Sequence, residues 1–161
     1  MVLDAFALGV LNDVPVAAEK WSGRLVLTPN VTELERLTGL DDAALDEPDA
    51  LPAAVRAAAG RFGAVVTCHN VIAAPDGSCW QASPNCIGLG TSGSGDVLAG
   101  AIVGLLARGA DPAQAACWGT YLHLHAGHRL ARRVGTVGFL ARELMPELPV
   151  LLEDLHSDSG G

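Results

Sequence analysis

Apolar residues recur along this chain in two rhythms, short solid runs and spaced stripes, and the switches between them outline its elements. Leu25-Val26-Leu27-Thr28 is a solid run with Pro29 behind it, which reads as a buried strand ending at a turn, since the residue before a proline is held extended. Asn30-Val31-Thr32-Glu33 then opens a helix. Asn30 can accept from the unpaired N–H groups of the first turn, and Glu33 stands three residues on, as in a capping box. Leu34 and Leu37 begin the apolar face and Gly39 ends the helix. Asp41 to Pro52 is acidic and proline-containing, a surface connection. An Ala-rich helix is next, over Ala53 to Arg61, then a strand over Gly63 to Thr67. Val71-Ile72-Ala73-Ala74 and Cys79-Trp80-Gln81-Ala82 flank Pro75-Asp76-Gly77-Ser78, a hairpin signal.

The second half is more helical. Ser83 to Ser94 is a loop by composition. Gly95 to Arg108 has Val97, Ala101 and Leu105 at helical spacing, and Gly109 closes it. Asp111-Pro112 opens the next helix with a cap and then a proline in the first turn, and the pattern runs to about Val134. Leu140 to Leu148 is read as a last short helix. The polar, Gly-ended stretch His156 to Gly161 is expected to fray, leaving one domain over 1–155 and a tail over 156–161. Strands alternating with helices indicate an α/β domain with a mostly parallel sheet and one antiparallel hairpin.

Composition narrows the function. The chain has 161 residues, half of them apolar and only 4 % aromatic, so Ala and Gly supply much of the core and helices are expected to pack closely. A net charge of −8 argues against nucleic acid or an anionic membrane as a partner, but a small anion answers to the local field. No run of about 20 residues is uniformly apolar, and the start lacks a basic n-region and carries Asp4 early. A cytoplasmic protein is expected. Cys68, Cys79, Cys86 and Cys117 form no C-x-x-C pair and read as structural thiols. His123, His125 and His128 do not place three ligands on one helix face, so no metal site is expected of them. Trp21, Trp80 and Trp118 are read as core or edge packing, and the acids from Asp41 to Asp49 as solvated surface.

The candidate chemistry lies in Gly90-Thr91-Ser92-Gly93-Ser94-Gly95-Asp96. A P-loop is excluded, because the one Lys of the chain is Lys20. Gly88 to Gly93 fits G-x-G-x-x-G by letter, but no strand leads into it. Taken as a unit, Gly93-Ser94-Gly95-Asp96 offers backbone N–H groups free of Cβ interference at a helix N-terminus, an anion hole for a transferring phosphoryl group. The Asp96 carboxylate beside it can take a proton from an attacking hydroxyl. The competing reading is that Asp96 is there only because acids favour a first helical turn.

Gly93 to Gly109, GSGDVLAGAIVGLLARG, resembles the anion-hole segment of the ribokinase-like superfamily, and within it the ADP-dependent NAD(P)H-hydrate dehydratases, whose usual form is GTGDVLAG. Leu27 to Gly39 is similar to that family's TPHPGE-x-x-RL-x-G. Asp4-Ala5-Phe6-Ala7-Leu8 is similar to its DADAL, Tyr121-Leu122-His123 with Ala126-Gly127 to its YLH-x-x-AG, and Gly138 to Pro149 to its closing helix. The resemblance implies a ribokinase-like three-layer α/β/α fold, here partial. It implies ADP- or ATP-dependent repair of hydrated NADH and NADPH with Mg2+, in which the added hydroxyl is phosphorylated and phosphate is then lost. Asp96 would be the base, Gly93, Ser94 and Gly95 would hold the phosphoryl group, and Glu33 would help order magnesium and water. Asn30, grouped with the nucleotide-binding residues, departs from the dehydratase His and matches the N-x-x-E of the sugar-kinase branch, so a small-molecule kinase is a further alternative. Where the family has Lys-Gly this chain has Cys68-His69, which leaves charge stabilisation to His69, Arg24 or Arg61. Phe6 stands where the family has an acid, and His128 where it usually has Asp. The family's domain has a substantial N-terminal part before DADAL, so the sheet edge at Val2-Leu3 is expected to be completed by a second copy or another chain. A non-catalytic nucleotide-binding remnant is the alternative from outside the enzymes.

Overall fold

The computed structural model describes residues 1–13, 21, 23–40, 49–83 and 86–158. Strand β1 (Val2–Leu3) leads into a single helical turn α1 (Phe6–Gly9), then β2 (Val26–Leu27), α2 (Val31–Thr38) and α3 (Ala50–Phe62). Three strands come next, β3 (Val65–Cys68), β4 (Val71–Ala73) and β5 (Cys79–Gln81), then a 3-10 turn over Ile87–Gly90. The rest is α4 (Ser94–Ala107), α5 (Pro112–Val134), a 3-10 turn over Ala141–Glu143 and α6 (Glu147–Asp158). The expected connection over 41–48 lies outside the described residues.

The strands form one sheet in the order β1-β2-β3-β4-β5. The first three are parallel and the last two pairs antiparallel, so the predicted hairpin is present and the sheet reverses one strand earlier than the sequence suggested. The early reversal is made by a two-residue turn in which His69 takes a left-handed backbone, φ 53°. The Asn70 side chain ties the turn to the end of β5 by donating to the Ala82 carbonyl at 2.9 Å.

Alternation along the strands produces the layers. Leu27, Val66, Cys68, Val71 and Ala73 face one way, against Leu8 of α1, Leu34 and Leu37 of α2 and the Ala-rich face of α3. Val26, Val65 and Ile72 face the other way, against Ile102 of α4 and Ala115 and Ala116 of α5. Side chains point to opposite sides of a strand, and both sides here are apolar, so helices must cover both. This is the three-layer α/β/α arrangement. The helices lie close: a Cβ on Gly119 of α5 would sit 2.5 Å from Ile102 Cγ1 of α4. Between the layers, the Thr67 and Thr120 hydroxyls pair at 2.8 Å, so the buried hydroxyl of β3 is satisfied from α5.

Caps match the sequence closely. Asn30 Oδ1 accepts from the Glu33 N–H and Glu33 Oε2 accepts from the Asn30 N–H, both at 2.9 Å, and Gly39 ends α2 in the left-handed region, φ 76°. Asp111 caps α5 through the Gln114 N–H. Three boundaries differ. Helix α3 begins at Ala50, because Pro52 falls in the first turn, where no N–H is needed. The helix expected over Leu140 to Leu148 is instead a 3-10 turn and then α6 from Glu147. Pro146 disfavours a helical residue before it and restarts the helix after it. Helix α6 then continues through Asp158, into the stretch expected to fray. It is anchored by buried Glu147, whose two oxygens meet Arg129 Nε at 3.1 Å and an Arg133 nitrogen at 2.7 Å. The three tryptophans all stand at the surface, more than a third exposed, rather than in the core; Trp118 packs edge-on against Tyr121. None of the four cysteines forms a disulfide.

Candidate functional site

The parallel strands β1, β2 and β3 run in one direction, so their trailing residues all emerge at the same end of the sheet. Asp4 comes after β1, Thr28-Pro29-Asn30 after β2 and His69 after β3. In open α/β sheets this end is where ligands bind. Here a cavity of about 650 Å³ opens there. Its lining combines those strand ends with Glu33 of α2, Cys86 and Leu89 near the 3-10 turn, Gly93 to Asp96, and His123 of α5. All six residues singled out for binding or catalysis, Asn30, Glu33, Gly93, Ser94, Gly95 and Asp96, line it together.

Helix α4 points its N-terminus into this cavity. Gly93 is its N-cap with φ 84°, a conformation that L side chains rarely adopt. The Ser94 N–H is committed to the Thr91 carbonyl at 3.2 Å and the Val97 N–H to the Gly93 carbonyl at 3.3 Å. The first-turn amides of Gly95 and Asp96 lie between them and have no intrahelical acceptor. They are the main-chain donors the loop offers. Asp96 forms no hydrogen bond or ion pair with another described residue and makes no cap. Its carboxylate reaches back over the loop, with Oδ2 3.9 Å from where a Gly93 Cβ would stand. Asp96 therefore makes no capping hydrogen bond, and what favours it at the helix start is the attraction of its charge to the helix dipole alone.

Asn30 and Glu33 stand differently. Their reciprocal bonds show both side chains holding the start of α2, so Asn30 has a structural reason to be present that requires no ligand. Asp4 was not singled out as a site residue, yet it lines the cavity, and the Thr28 hydroxyl donates to its Oδ1 at 2.7 Å. That pair joins adjacent strand ends, a contact no sequence spacing reveals. Cys68 is buried under the same floor. Burial, and then the nearby Glu33 charge, push its thiol up to about 12, so it is inert.

The charge pattern of the cavity is one-sided. Asp4, Glu33 and Asp96 contribute carboxylates, and among the described residues no Lys or Arg lines the wall. Arg61, a candidate for the missing cation, instead donates to the Leu37 carbonyl at 2.5 Å behind α2. Arg24 does not line the cavity either, so of the three side chains expected to replace the family's Lys only His69 lines it. His123 cannot supply positive charge at neutral pH: burial pulls its imidazole down to about 4, against an opposing hydrogen bond to the Ser94 main chain. A polyphosphate would meet three carboxylates, and the all-oxygen donor set suits a hard divalent cation carried in with it. Among the described residues no three His, Cys, Asp or Glu side chains converge to hold a metal by themselves. Among those residues, too, no helix is long and apolar enough to cross a membrane.

A sequence model of the family described as NAD(P)H-hydrate dehydratase matches residues 1–150. The ADP-dependent (S)-NAD(P)H-hydrate dehydratase of Xanthomonas campestris pv. campestris is 44 % identical over 156 residues, covering 96 % of this chain and 52 % of that protein. Among solved structures, the ADP/ATP-dependent NAD(P)H-hydrate dehydratase of Bacillus subtilis, co-crystallized with ATP/Mg2+, matches with a TM-score of 0.78 at 28 % identity, over 95 % of this chain and 54 % of that one. A ribokinase-like superfamily protein of Enterococcus faecalis shares the fold at a TM-score of 0.76 and 24 % identity, over 95 % of this chain and 52 % of that one. The chain spans about half the length of each of these three proteins.

Proposed function

This chain belongs to the NAD(P)H-hydrate dehydratase family, and from that premise we propose that it takes part in returning hydrated NADH or NADPH to the intact dinucleotide, with ADP or ATP and Mg2+. The observation that carries the proposal is the Gly93–Asp96 loop. Two amides without intrahelical partners and one uncommitted carboxylate meet at a helix N-terminus, inside a cavity at the carboxyl ends of three parallel strands.

Bound nucleotide would supply the phosphoryl group that makes the ring hydroxyl a leaving group, and bound magnesium would offset negative charge. The chain's own residues do the rest. The Gly95 and Asp96 amides and the positive end of α4 favour negative charge at the loop. Asp96 takes the proton of the substrate hydroxyl, which it can do because nothing else holds its carboxylate. Glu33, fixed by its capping bond, and Asp4, fixed by Thr28, present oxygens for a magnesium ion or its waters. His69, at the end of β3, lines the same cavity and would be the imidazole within reach of the phosphates.

The test is recovery of NADH absorbance when the purified chain is incubated with hydrated NADH, magnesium and ADP or ATP. Nucleotide-dependent recovery that is lost in Asp96→Asn, with the fold retained, is expected. Recovery that survives Asp96→Asn would remove Asp96 from the chemistry. Nucleotide binding without recovery would favour a binding role, and phosphate remaining on the product would favour a kinase. The kinase reading draws on Asn30, whose side chain is accounted for by the cap of α2.

A further inference from the structure

Helix α5 crosses behind the anion loop and brings one polar side chain to it. His123 is 7 % exposed and Ser94 is 3 % exposed, and His123 Nε2 lies 2.9 Å from Ser94 Oγ. Both line the cavity at the strand ends. A buried imidazole and a buried hydroxyl have few other partners, so the direction of this bond decides what the hydroxyl can do. If Nε2 accepts, the Ser94 proton points away from the loop, into the protein. If Nε2–H donates, Ser94 Oγ accepts and its own proton is free to turn toward the cavity.

Burial keeps the ring from taking a second proton at neutral pH, so one ring nitrogen donates and the other accepts, and the tautomer sets the direction of the bond to Ser94. The Ser94 N–H is already committed to the Thr91 carbonyl, so the hydroxyl is the one donor Ser94 has left to offer, and only the second arrangement frees it for the cavity. The loop would otherwise offer only the Gly95 and Asp96 amides, and a tetrahedral anion has room for a third donor.

We propose that His123 is a positioning residue, whose Nε2–H holds the Ser94 oxygen so that the Ser94 hydroxyl proton becomes a third donor to a phosphoryl oxygen at the Gly93–Asp96 loop. The proposal rests on the reading of that loop as a phosphoryl site. It adds a device that acts through Ser94 and touches neither the nucleotide nor the dinucleotide.

The first test needs no ligand. Imidazole 15N–1H correlation spectra of the intact chain report the tautomer of each histidine, with the His123 signals identified by their loss in His123→Leu. A proton on Nε2 of His123 is expected; a neutral ring protonated on Nδ1 would overturn the proposal. The second test is a mutant cycle read as Mg·ADP-dependent turnover and as binding of inorganic phosphate by calorimetry. Ser94→Ala and His123→Leu are each expected to lower kcat about ten- to a hundredfold with KM for the dinucleotide little changed, as when one anion-hole donor is removed. The double variant should be no worse than Ser94→Ala alone. His123→Gln, which keeps a neutral N–H donor, should recover most of the loss, whereas a merely space-filling His123 would be replaced better by Leu. Additive losses, or rescue by Leu and not by Gln, would overturn the proposal. If inorganic phosphate binds with this pattern while hydrated NADH is not repaired, the dehydratase reading fails and the positioning role stands.

Discussion

His123 makes the protein's stability depend on pH in a window where most histidines would be indifferent. In the native state its pKa lies near 4, against the ordinary 6.5 expected once the chain unfolds. Below pH 6.5 the unfolded chain takes up a proton that the native chain refuses, so acid favours unfolding. Stability from this group is fully present above pH 6.5, falls through the interval down to about 4, and levels off below it. A gap of roughly two and a half units at about 1.4 kcal/mol each amounts to about 3.5 kcal/mol, a large share of a typical domain's stability. The perturbation that isolates it is His123→Gln, neutral at every pH. Asp96, His69 and Cys86 share the cavity with His123. His125, on the same helix, is also pulled down, by burial and by His128. All of these groups are present in both proteins, so the comparison isolates His123. Urea midpoints measured in steps from about pH 7.5 to about pH 4.5 should show the original chain losing about 2–3 kcal/mol more than the variant. Parallel curves would mean that His123 is protonated in the native state or already solvated, and the burial argument would be wrong.

The remaining predictions use the same structure. Gly119→Ala should destabilise by about 1–2 kcal/mol in thermal melts, because a Cβ 2.5 Å from Ile102 Cγ1 forces α4 and α5 apart and outweighs the gain in helix propensity; an unchanged melting temperature would show that the helices part freely. Glu147→Gln should cost about 2 kcal/mol by weakening its bonds to Arg129 and Arg133, and amide exchange should report the loss in α6 first. His69→Gly should leave stability unchanged or raise it by up to about 1 kcal/mol, since the residue's left-handed backbone is free of strain only for glycine. The same change should weaken Mg·ADP binding in calorimetry. Unchanged affinity would remove His69 from the phosphate side.

Local sequence wrote the elements that depend on neighbours a few residues away. The Asn30–Glu33 box, the left-handed Gly39, the Asp111 cap with Pro112 and the Pro75–Ser78 turn all appear where their spacing puts them, because capping and turn chemistry act within one turn of backbone. The Gly93–Asp96 loop was legible for the same reason: small residues at a helix start leave N–H groups open whatever surrounds them. Where the reading slipped, the deciding force came from beyond the segment. Pro146 split the last helix, and the pairing of Glu147 with Arg129 and Arg133 holds the new start of α6 against α5. Tertiary structure alone decided that Asp4 would meet Thr28, and that Arg61 would turn to Leu37 rather than to the cavity. It alone brought His123 to Ser94 across 29 positions of sequence. These contacts come from the parallel order of β1, β2 and β3 and the crossing of α5 behind α4. A one-dimensional pattern records which residues can cap, turn or bury; which distant side chains then share one cavity is set by how the layers stack.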